Sequence, residues 1–385
     1  MLRFIVDLCR GPCRGPQTES MPMPETPLPD WNALSFAFTP TDAYFRCDGD
    51  TRRKPIWEEG EFLPFGEVSF SPAAAFMSYG LGIFEGLKAQ RAKDGRVLLF
   101  RHRDNAERFR RSAERLLLEP FPAEQFVSAC EETTRRNLRF VPPHGKGSLY
   151  LRPTEHAVEP KLGLGPCSQF LVLIYACPVG GYFAKSGAKA AAKPAAVPSP
   201  EGVRLRVLEQ GRVAPGGTGA SKAMGNYAGG IAVAAPWKQQ GFDDVLYLDA
   251  RHLCFLTETS GSNVFVKLRS GTLVTPPLDD QILAGITRDS AIRAARELLG
   301  VKVDERPLPI EEVLSEGEEM FCTGTAWTLQ SVRELVHKGK EHAFAKTELR
   351  RELLDIIRGI QTGARPDPFG WTTEVKAEVE AAARR

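Results

Sequence analysis

A single lysine directly follows a glycine-rich stretch, and this arrangement constrains the chain more than any other feature of its sequence. Gly216, Gly217 and Gly219 precede Lys222, and Tyr227 follows it after five residues. Glycines let the backbone approach a bulky ligand closely, because they carry no Cβ. A lysine that forms a Schiff base must lose its proton, which requires a site that destabilises the ammonium form. The pattern therefore predicts a loop that surrounds a ligand and presents a reactive amine to it.

These parts are the ones that a pyridoxal phosphate enzyme needs, because Tyr227 can also offer its phenol to a ring oxygen beside the imine. A plain structural alternative is that Lys222 is a solvated residue at the start of a helix. A nucleotide phosphate loop, G-x-x-x-x-G-K-[ST], is a poor match. Ser221 stands where that motif needs glycine, and Ala223 stands where it needs the hydroxyl that holds magnesium.

Size and composition restrict the class of protein. The chain has 385 residues, of which 42% are hydrophobic and 25% are charged, so it can bury a sizeable core in two domains. A net charge of +2 gives no electrostatic case for nucleic acid binding. No apolar run is long enough to span a membrane. Eight cysteines without C-x-x-C spacing and six histidines without metal-ligand spacing predict reduced thiols and no metal site.

The first thirty residues do not resemble a folded segment. The stretch 1–14 holds three arginines and two cysteines, and its short apolar patch carries Arg3 and Asp7, which makes a secretory signal a poor interpretation. A weak organelle-targeting segment and a true start at Met21 or Met23 are both open. We expect a disordered or spurious leader and a cytoplasmic protein.

Helical and strand patterns are mixed without regular alternation, which indicates an α+β fold rather than a doubly wound sheet. Helices are predicted at 103–118, 122–139, 222–239, 287–299 and 346–362. Strands are predicted on both sides of a change in composition, among them 66–70, 169–177, 252–256 and 263–268. The predicted organisation is a leader (1–30), an N-terminal α+β domain (31–182), an interdomain loop (183–202), a C-terminal domain with the lysine (203–372) and a tail (373–385).

Several polar residues could complete a cofactor site, although each has a simpler interpretation. Glu258, placed between two predicted strands, could face a pyridine nitrogen or could be a solvated turn residue. Thr287 opens a predicted helix, where backbone N–H groups form a ready phosphate seat or the hydroxyl merely caps the helix. Thr325 follows a buried strand and could add donors. Arg108 could pair with a phosphate or lie on a wet helix face.

Eight segments together resemble the class IV aminotransferases, which are fold type IV pyridoxal phosphate enzymes, and in particular the branched-chain amino acid aminotransferases. The resemblance runs from about Tyr79 to Val375, and the segments follow the order of the family. They are Tyr79–Gly86, Phe100–Arg108, Tyr150–Pro153, Pro178–Tyr182, the segments around Lys222 and Glu258, Gly285–Arg288 and Gly324–Ala326.

The resemblance implies a role for each matched residue. Lys222 would form the Schiff base with pyridoxal 5'-phosphate and shuttle the α-proton, Glu258 would hold the pyridine nitrogen, and Tyr227 would bond the phenolate oxygen. The phosphate would be held by Arg108, Ile286 (through its backbone), Thr287 and the Gly324-Thr325 segment. The substrate site would be shaped by Phe84, Tyr79, Tyr150, Arg152 and Tyr182, with the N–H groups of Thr325 and Ala326 taking the α-carboxylate.

The resemblance also implies a reaction and an assembly. The substrates would be small amino acids and 2-oxo acids: L-leucine, L-isoleucine and L-valine would donate their amino group, and 2-oxoglutarate would accept it. Arg152 beside aromatic residues would serve the acid, while apolar surface would serve the branched side chains. In the family a second subunit completes the site, so a homodimer is implied, with no nucleic acid or membrane partner.

Some features depart from the family, and several functions share its fold. Met224 stands where the family commonly has glycine, and Trp327 follows Gly324–Ala326 with no C-x-x-C after it. A D-amino acid aminotransferase would be expected to carry R-x-H, whereas here Pro153 and Thr154 follow Arg152. Aminodeoxychorismate lyase and a non-catalytic, cofactor-binding relative also stay open, since fold alone does not decide function.

Overall fold

A computed structural model of the protein describes residues 26–180 and 202–377. In that part of the chain two β-sheets carry helices on their faces, which confirms the α+β class. The predicted leader up to residue 25, nearly all of the predicted interdomain loop (through residue 201), and the tail from residue 378 lie outside the described residues. Tyr182, a predicted member of the substrate site, also lies outside them.

Seventeen strands and seven α-helices are described in these two ranges. The strands are β1 Ala43–Asp50, β2 Glu61–Pro64, β3 Gly82–Phe84, β4 Leu87–Arg91, β5 Val97–Phe100, β6 Ser148–Ala157, β7 Gln169–Val179, β8 Val203–Leu208, β9 Asp244–Leu248, β10 Leu256–Thr259, β11 Asn263–Leu268, β12 Leu273–Thr275, β13 Val303–Glu305, β14 Gly317–Gly324, β15 Thr328–His337, β16 Lys340–Ala343 and β17 Thr372–Glu374. The helices are α1 Ala75–Tyr79, α2 His102–Arg115, α3 Ala123–Arg136, α4 Met224–Gln239, α5 Ile286–Arg293, α6 Ile310–Glu316 and α7 Glu348–Gln361.

The first sheet is antiparallel throughout, with the order β17-β5-β4-β6-β7-β1-β2 and β3 paired to β6. Helices α2 and α3 cover it through a core that includes Phe109 and Phe126, whose ring centroids lie 5.2 Å apart. The strand β17 brings the end of the described chain back to this sheet. Trp371, just before the strand, and Val375, just after it, both have buried side chains. The first residues of the predicted tail are therefore packed against the N-terminal half.

The second sheet closes on itself. Its order is β10-β9-β8-β15-β14-β11-β12-β13, and β10 also pairs with β11 where Glu258 faces Asn263. Helices α5 and α7 pack on one side of it around Phe265 and Phe321, whose rings stack at 5.1 Å. Closure places Glu258 on a strand at the junction of the closed sheet, rather than on a solvated turn between strands.

Two predicted strands are wrong. Residues 66–70 form no strand, and the strand that pairs with β1 is β2, just before them. Residues 252–255 form a turn, because the carboxylate of Asp249 accepts hydrogen bonds from backbone N–H groups of that turn, including those of His252 and Phe255. A side chain that satisfies several backbone donors competes with strand pairing, and β10 therefore starts only at Leu256.

The short strand β3 connects the two halves of the molecule. It pairs with β6 of the first sheet, while the N–H of Phe84 donates to the carbonyl oxygen of Lys222 at 3.1 Å. Ile83 forms an isolated β-bridge with Ala223. Gly82 allows this approach, because a Cβ there would lie 2.8 Å from the sulfur of Met224. The predicted reactive lysine therefore lies at the seam between the two sheets.

Candidate active site

A cleft at this seam gathers the residues that the sequence assigned to the cofactor. It encloses about 450 Å³ of empty space, counting the part open to solvent. Its lining includes all eight predicted cofactor residues, namely Arg108, Lys222, Tyr227, Glu258, Ile286, Thr287, Gly324 and Thr325. They come from both halves of the chain, so only the tertiary fold brings them together.

Lys222 is held through its backbone and presents its amine to the cleft. Its N–H donates to Ser112 Oγ at 3.0 Å, which ties the lysine loop to helix α2. The amine Nζ lies 3.1 Å from Tyr227 Oη and 4.7 Å from the centre of the Phe84 ring. The rings of Phe84 and Tyr227 meet edge to face at 4.7 Å. The amine thus lies beside one phenol and one apolar ring.

Glu258 is paired with an arginine that the sequence patterns did not indicate. Arg212 Nη2 lies 2.6 Å from Glu258 Oε1, and both side chains are buried. Asn263 Nδ2 donates to the other carboxylate oxygen at 3.1 Å. Burial raises the pKa of Glu258 to about 7, although Arg212 opposes that rise. The carboxylate can therefore change charge near neutral pH, and Arg212 is the foremost of the groups that favour its ionised form.

Arg108 lines the cleft but already has a buried partner. Its Nε and Nη2 donate to the two carboxylate oxygens of Glu85, at 2.6 and 2.8 Å. Its Nη1 donates to the carbonyl oxygen of Ala284 at 3.0 Å. Burial alone would raise the pKa of Glu85, but Arg108, together with Lys222 and Asn105, outweighs burial and lowers that pKa. Glu85 thus fixes the guanidinium at the cleft wall, and its position in the Tyr79–Gly86 segment is the signal that could have found it.

The start of helix α5 forms a seat for an anion. The helix begins at Ile286, one residue before the predicted start, and Gly285 precedes it. A Cβ on Gly285 would collide with Asn263 Oδ1, so only glycine permits this close packing. Beside the seat, Ser262 Oγ and Thr323 Oγ1 are buried without a hydrogen-bond partner among the described residues. Unused hydroxyls next to a helix N-terminus fit the phosphate of pyridoxal phosphate.

Phe84, Tyr150 and Arg152 form a cluster beside the cleft, next to the lysine amine but outside the cleft lining. The guanidinium of Arg152 lies 4.9 Å from the Phe84 ring centre and 5.2 Å from that of Tyr150, and its Nη2 donates to Tyr150 Oη at 3.3 Å. A Cβ on Gly86 would collide with Tyr150 Oη, so Gly86 makes room for the phenol. This cluster combines apolar surface with a charge, which is the combination that the predicted substrates require.

The remaining predicted substrate residues are more scattered. Thr325 Oγ1 donates to the carbonyl oxygen of Gly86 at 3.2 Å, and the carbonyl oxygen of Ala326 accepts from Lys88 Nζ at 2.7 Å. Tyr79 is not in the lining of the cleft; its hydroxyl contacts the carbonyl oxygen of Leu162. The structure thus places Thr325 in the cleft lining, leaves Ala326 outside that lining and leaves Tyr79 on the surface of helix α1.

Within residues 26–180 and 202–377, none of the helices combines the length and apolar character that crossing a bilayer requires. In the same ranges, no cluster of three or more His, Cys, Asp or Glu side chains is arranged to bind a metal ion.

Comparisons with known proteins show which family the chain resembles. Residues 82–335 match the family described as amino-transferase class IV. The chain is 37% identical to the chloroplastic branched-chain-amino-acid aminotransferase 5 of Arabidopsis thaliana, over 90% of this chain and 80% of that protein. It is 36% identical to a methionine aminotransferase of the same plant, over 90% of this chain and 93% of that protein.

Solved structures resemble the chain over most of its length. A branched-chain aminotransferase of Thermoproteus uzoniensis with norvaline has a TM-score of 0.71 and 28% identity, and the match covers 87% of this chain and 100% of the other. A branched-chain amino acid aminotransferase from T.th. with pyridoxamine 5'-phosphate has a TM-score of 0.65 and 27% identity, and the match covers 87% of this chain and 99% of the other.

Cofactor binding should depend on the protonation of Glu258. Protonation removes the negative charge that would pair with a cationic ring nitrogen. We therefore expect the affinity of the apoprotein for pyridoxal phosphate to fall below pH 7, by up to about tenfold per pH unit. Arg212→Met should move this fall upward by about one pH unit or more, because the pKa of Glu258 rises without its partner. Titration of the visible absorption between about pH 5.5 and 9 measures both effects.

Glu258→Gln is the matched control, because it keeps the shape of the side chain and retains any pH dependence of the phosphate itself. The fall below pH 7 should shrink to that residual dependence. An unchanged profile in Glu258→Gln would show that another group controls cofactor binding.

Proposed function

This chain belongs to the class IV aminotransferases, and on that premise we propose that it transfers the amino group of L-leucine, L-isoleucine or L-valine to 2-oxoglutarate through Lys222. The class and the cofactor follow from the family: the protein is a pyridoxal phosphate-dependent transaminase of the branched-chain type. The observation that carries the finer proposal is the Lys222 amine, 3.1 Å from Tyr227 Oη in a cleft that also contains Glu258 and the α5 seat.

The residues of the cleft suit proton transfer at a substrate carbon. Bound pyridoxal phosphate supplies an electron sink that acidifies the Cα–H of an amino acid attached to it. Lys222 would hold the cofactor until the substrate displaces its amine, and that amine would then move the proton as base and later as acid. Glu258 would keep the ring nitrogen protonated, and Arg108, Ile286, Thr287 and Thr325 would surround the phosphate.

The cluster of Phe84, Tyr150 and Arg152 beside the cleft would accept two kinds of side chain. Phe84 and Tyr150 offer apolar ring surface to a branched aliphatic group. Arg152 lies against both rings and can offer a charge-assisted hydrogen bond to the distal carboxylate of 2-oxoglutarate. One pocket can therefore accept both partners in turn, which is what the proposed reaction demands.

Other reactions of the same fold have weaker support. The sequence after Arg152 lacks the histidine that a D-amino acid aminotransferase would be expected to have. The Tyr150–Pro153 segment and the chain length favour an aminotransferase over aminodeoxychorismate lyase, and the intact Lys222, Tyr227 and Glu258 speak against a non-catalytic relative. L-methionine is a further candidate donor, because a relative 36% identical is named a methionine aminotransferase and the cluster would also accept an unbranched apolar chain.

We also propose that the chain forms a homodimer. The support is an exposed apolar area around helix α1, where Met77 and Tyr79 lie on the helix and the Tyr79 hydroxyl contacts the backbone of the exposed Leu162. Adjoining apolar side chains that face solvent mark a site of interaction. Light scattering should give a mass twice the 42.4 kDa of one chain, and a monomeric mass would refute the proposal.

A cytoplasmic location stays a proposal that rests on the sequence alone. Arg3 and Asp7 interrupt the short apolar patch near the start of the chain. The Arabidopsis relative is named chloroplastic, which describes that protein. Microscopy of the full chain with a fluorescent tag at its C-terminus tests the location, and an organellar signal would contradict it.

The first test is the visible spectrum of the purified holoenzyme with L-leucine and without a 2-oxo acid. The yellow band of the bound cofactor should bleach, and 2-oxoglutarate should restore it, because the two half-reactions run in opposite directions. Lys222→Ala should lose the band and the activity together. A band that L-leucine leaves unchanged, while D-alanine bleaches it, would contradict the branched-chain proposal. No band in a cofactor-replete preparation would contradict the role of Lys222.

Arg152→Met should separate the two substrates. The KM for 2-oxoglutarate should rise by about ten- to a hundredfold, since a charge-assisted hydrogen bond contributes roughly 1.5–3 kcal/mol. The KM for L-leucine should change by less than about threefold, because methionine keeps apolar contact with Phe84 and Tyr150. Steady-state kinetics with each substrate varied in turn measures both values. Equal losses for both substrates would place Arg152 at a group that they share, such as the α-carboxylate.

A further inference from the structure

The turn Gly324–Trp327, which begins at the last residue of strand β14, is held by one hydroxyl and two cations. Thr325 Oγ1 donates to the carbonyl oxygen of Gly86 at 3.2 Å. Lys88 Nζ donates to the carbonyl oxygen of Ala326 at 2.7 Å, and Arg358 Nη2 donates to that of Trp327 at 3.4 Å. Two successive carbonyl groups of the turn therefore point toward cations from strand β4 and helix α7.

Lys88 belongs to the same sheet face as the cluster beside the cleft. In the antiparallel pair β4–β6 it lies directly opposite Tyr150, and Arg152 is two residues further along the same strand. Side chains that are opposite each other, or two residues apart on one strand, project from the same face of a sheet. The lysine thus approaches the turn from the side that carries Tyr150 and Arg152, while it also lines a second cavity of about 320 Å³ with Thr287 and Thr325.

The side chain of Lys88 is half-buried, and its ammonium group has no acidic partner within salt-bridge distance among the described residues. Burial, helped by nearby Arg358, lowers the pKa of Lys88 to about 7. A cation that is partly withdrawn from water and has no carboxylate beside it is unfavourable, and an anion bound close to it offsets part of that desolvation. The site therefore favours a ligand that brings a negative charge to the turn.

We propose that Lys88 is a positioning residue that holds the Gly324–Trp327 turn and makes it selective for the α-carboxylate of amino acid and 2-oxo acid substrates. The proposal rests on the function proposed above. By accepting from Lys88, the carbonyl group of Ala326 fixes the peptide between Ala326 and Trp327, and with it the end of the turn that carries the N–H groups of Thr325 and Ala326. The positive charge behind the turn then strengthens every N–H donor that faces a bound carboxylate.

The test compares a carboxylate with its uncharged analogue on the holoenzyme. 4-Methylvaleric acid and 4-methylpentanamide share the leucine side chain and differ in charge at the group that the turn would bind. Their dissociation constants can be read from the change in cofactor absorption. Lys88→Met should weaken binding of the acid by about tenfold and binding of the amide by less than about twofold. Lys88→Arg should recover most of the preference for the acid, because it restores the charge.

Two further variants keep the result interpretable. Lys340→Met, at an exposed lysine on strand β16, is the matched control and should leave both dissociation constants unchanged. Arg358→Gln removes the second cation. It should weaken binding of the acid by a smaller factor than Lys88→Met does, because the contact of Arg358 with the turn is longer. If Lys88→Met does not fold, Lys88→Arg and Arg358→Gln still test the proposal. An unchanged ratio between the dissociation constants of acid and amide in Arg358→Gln overturns the selectivity argument.

The outcomes separate this proposal from the proposed reaction. If Lys88→Met leaves the ratio between the dissociation constants of acid and amide unchanged, the role proposed for Lys88 is wrong, even if the wild-type enzyme transaminates L-leucine. Equal weakening of acid and amide, or loss of the cofactor band, also overturns it, because either result indicates a structural role alone. If L-leucine does not bleach the wild-type band but Lys88→Met still reduces the preference for the acid over the amide, only the proposed donor substrate is wrong.

Discussion

Everything that the cleft can do depends on how the backbone of Lys222 is held. Its N–H donates to Ser112 Oγ of helix α2, and its carbonyl oxygen accepts from the N–H of Phe84 on strand β3. Both partners belong to the N-terminal half, whereas Glu258 and the α5 seat belong to the half that contains the closed second sheet. The distance from the amine to the other cofactor contacts is therefore set by the packing of the two halves, with β3 as the shared element. A flexible lysine side chain gains a defined position because its main chain is fixed at both ends of the residue.

Two buried ion pairs flank this lysine, and each places a charge that the proposed reaction needs. Burying an ion pair costs desolvation energy that its attraction often only offsets, so such pairs are weak evidence of stability and better evidence of position. Glu85 fixes the guanidinium of Arg108 at the cleft wall. Arg212 holds Glu258, and it also donates to the carbonyl oxygens of Gly219 and Gln281, so it ties the glycine loop to the same carboxylate. The loop, the acid and the lysine thus form one connected unit.

The sequence predicted the members of the cleft better than their contacts. Lys222 and Tyr227 are close in sequence on a loop and helix start, so their approach to 3.1 Å follows from local spacing. Glu258 was a candidate from the sequence, but its strand position comes from closure of the second sheet by pairing with Asn263, which is a tertiary event. Arg212 and Lys88 carry no local signal, since one lies in a loop and the other in a half-buried strand. Asp249 overrode the strand predicted at 252–256 through side-chain hydrogen bonds that periodicity does not detect.

An aminotransferase of this type must accept two side chains of opposite character at one wall and one carboxylate at another place. In the proposed reaction the two tasks would be divided between cations in different settings. Arg152 lies against both Phe84 and Tyr150, so a single side chain can offer its planar face to an apolar group or its N–H edge to an acid. Lys88 is a compact charge behind a turn, where it does not discriminate between side chains. If the variable part of the substrate binds against the adaptable cation, and the constant carboxylate near the cation behind the turn, one cleft would serve both half-reactions without a change in fold.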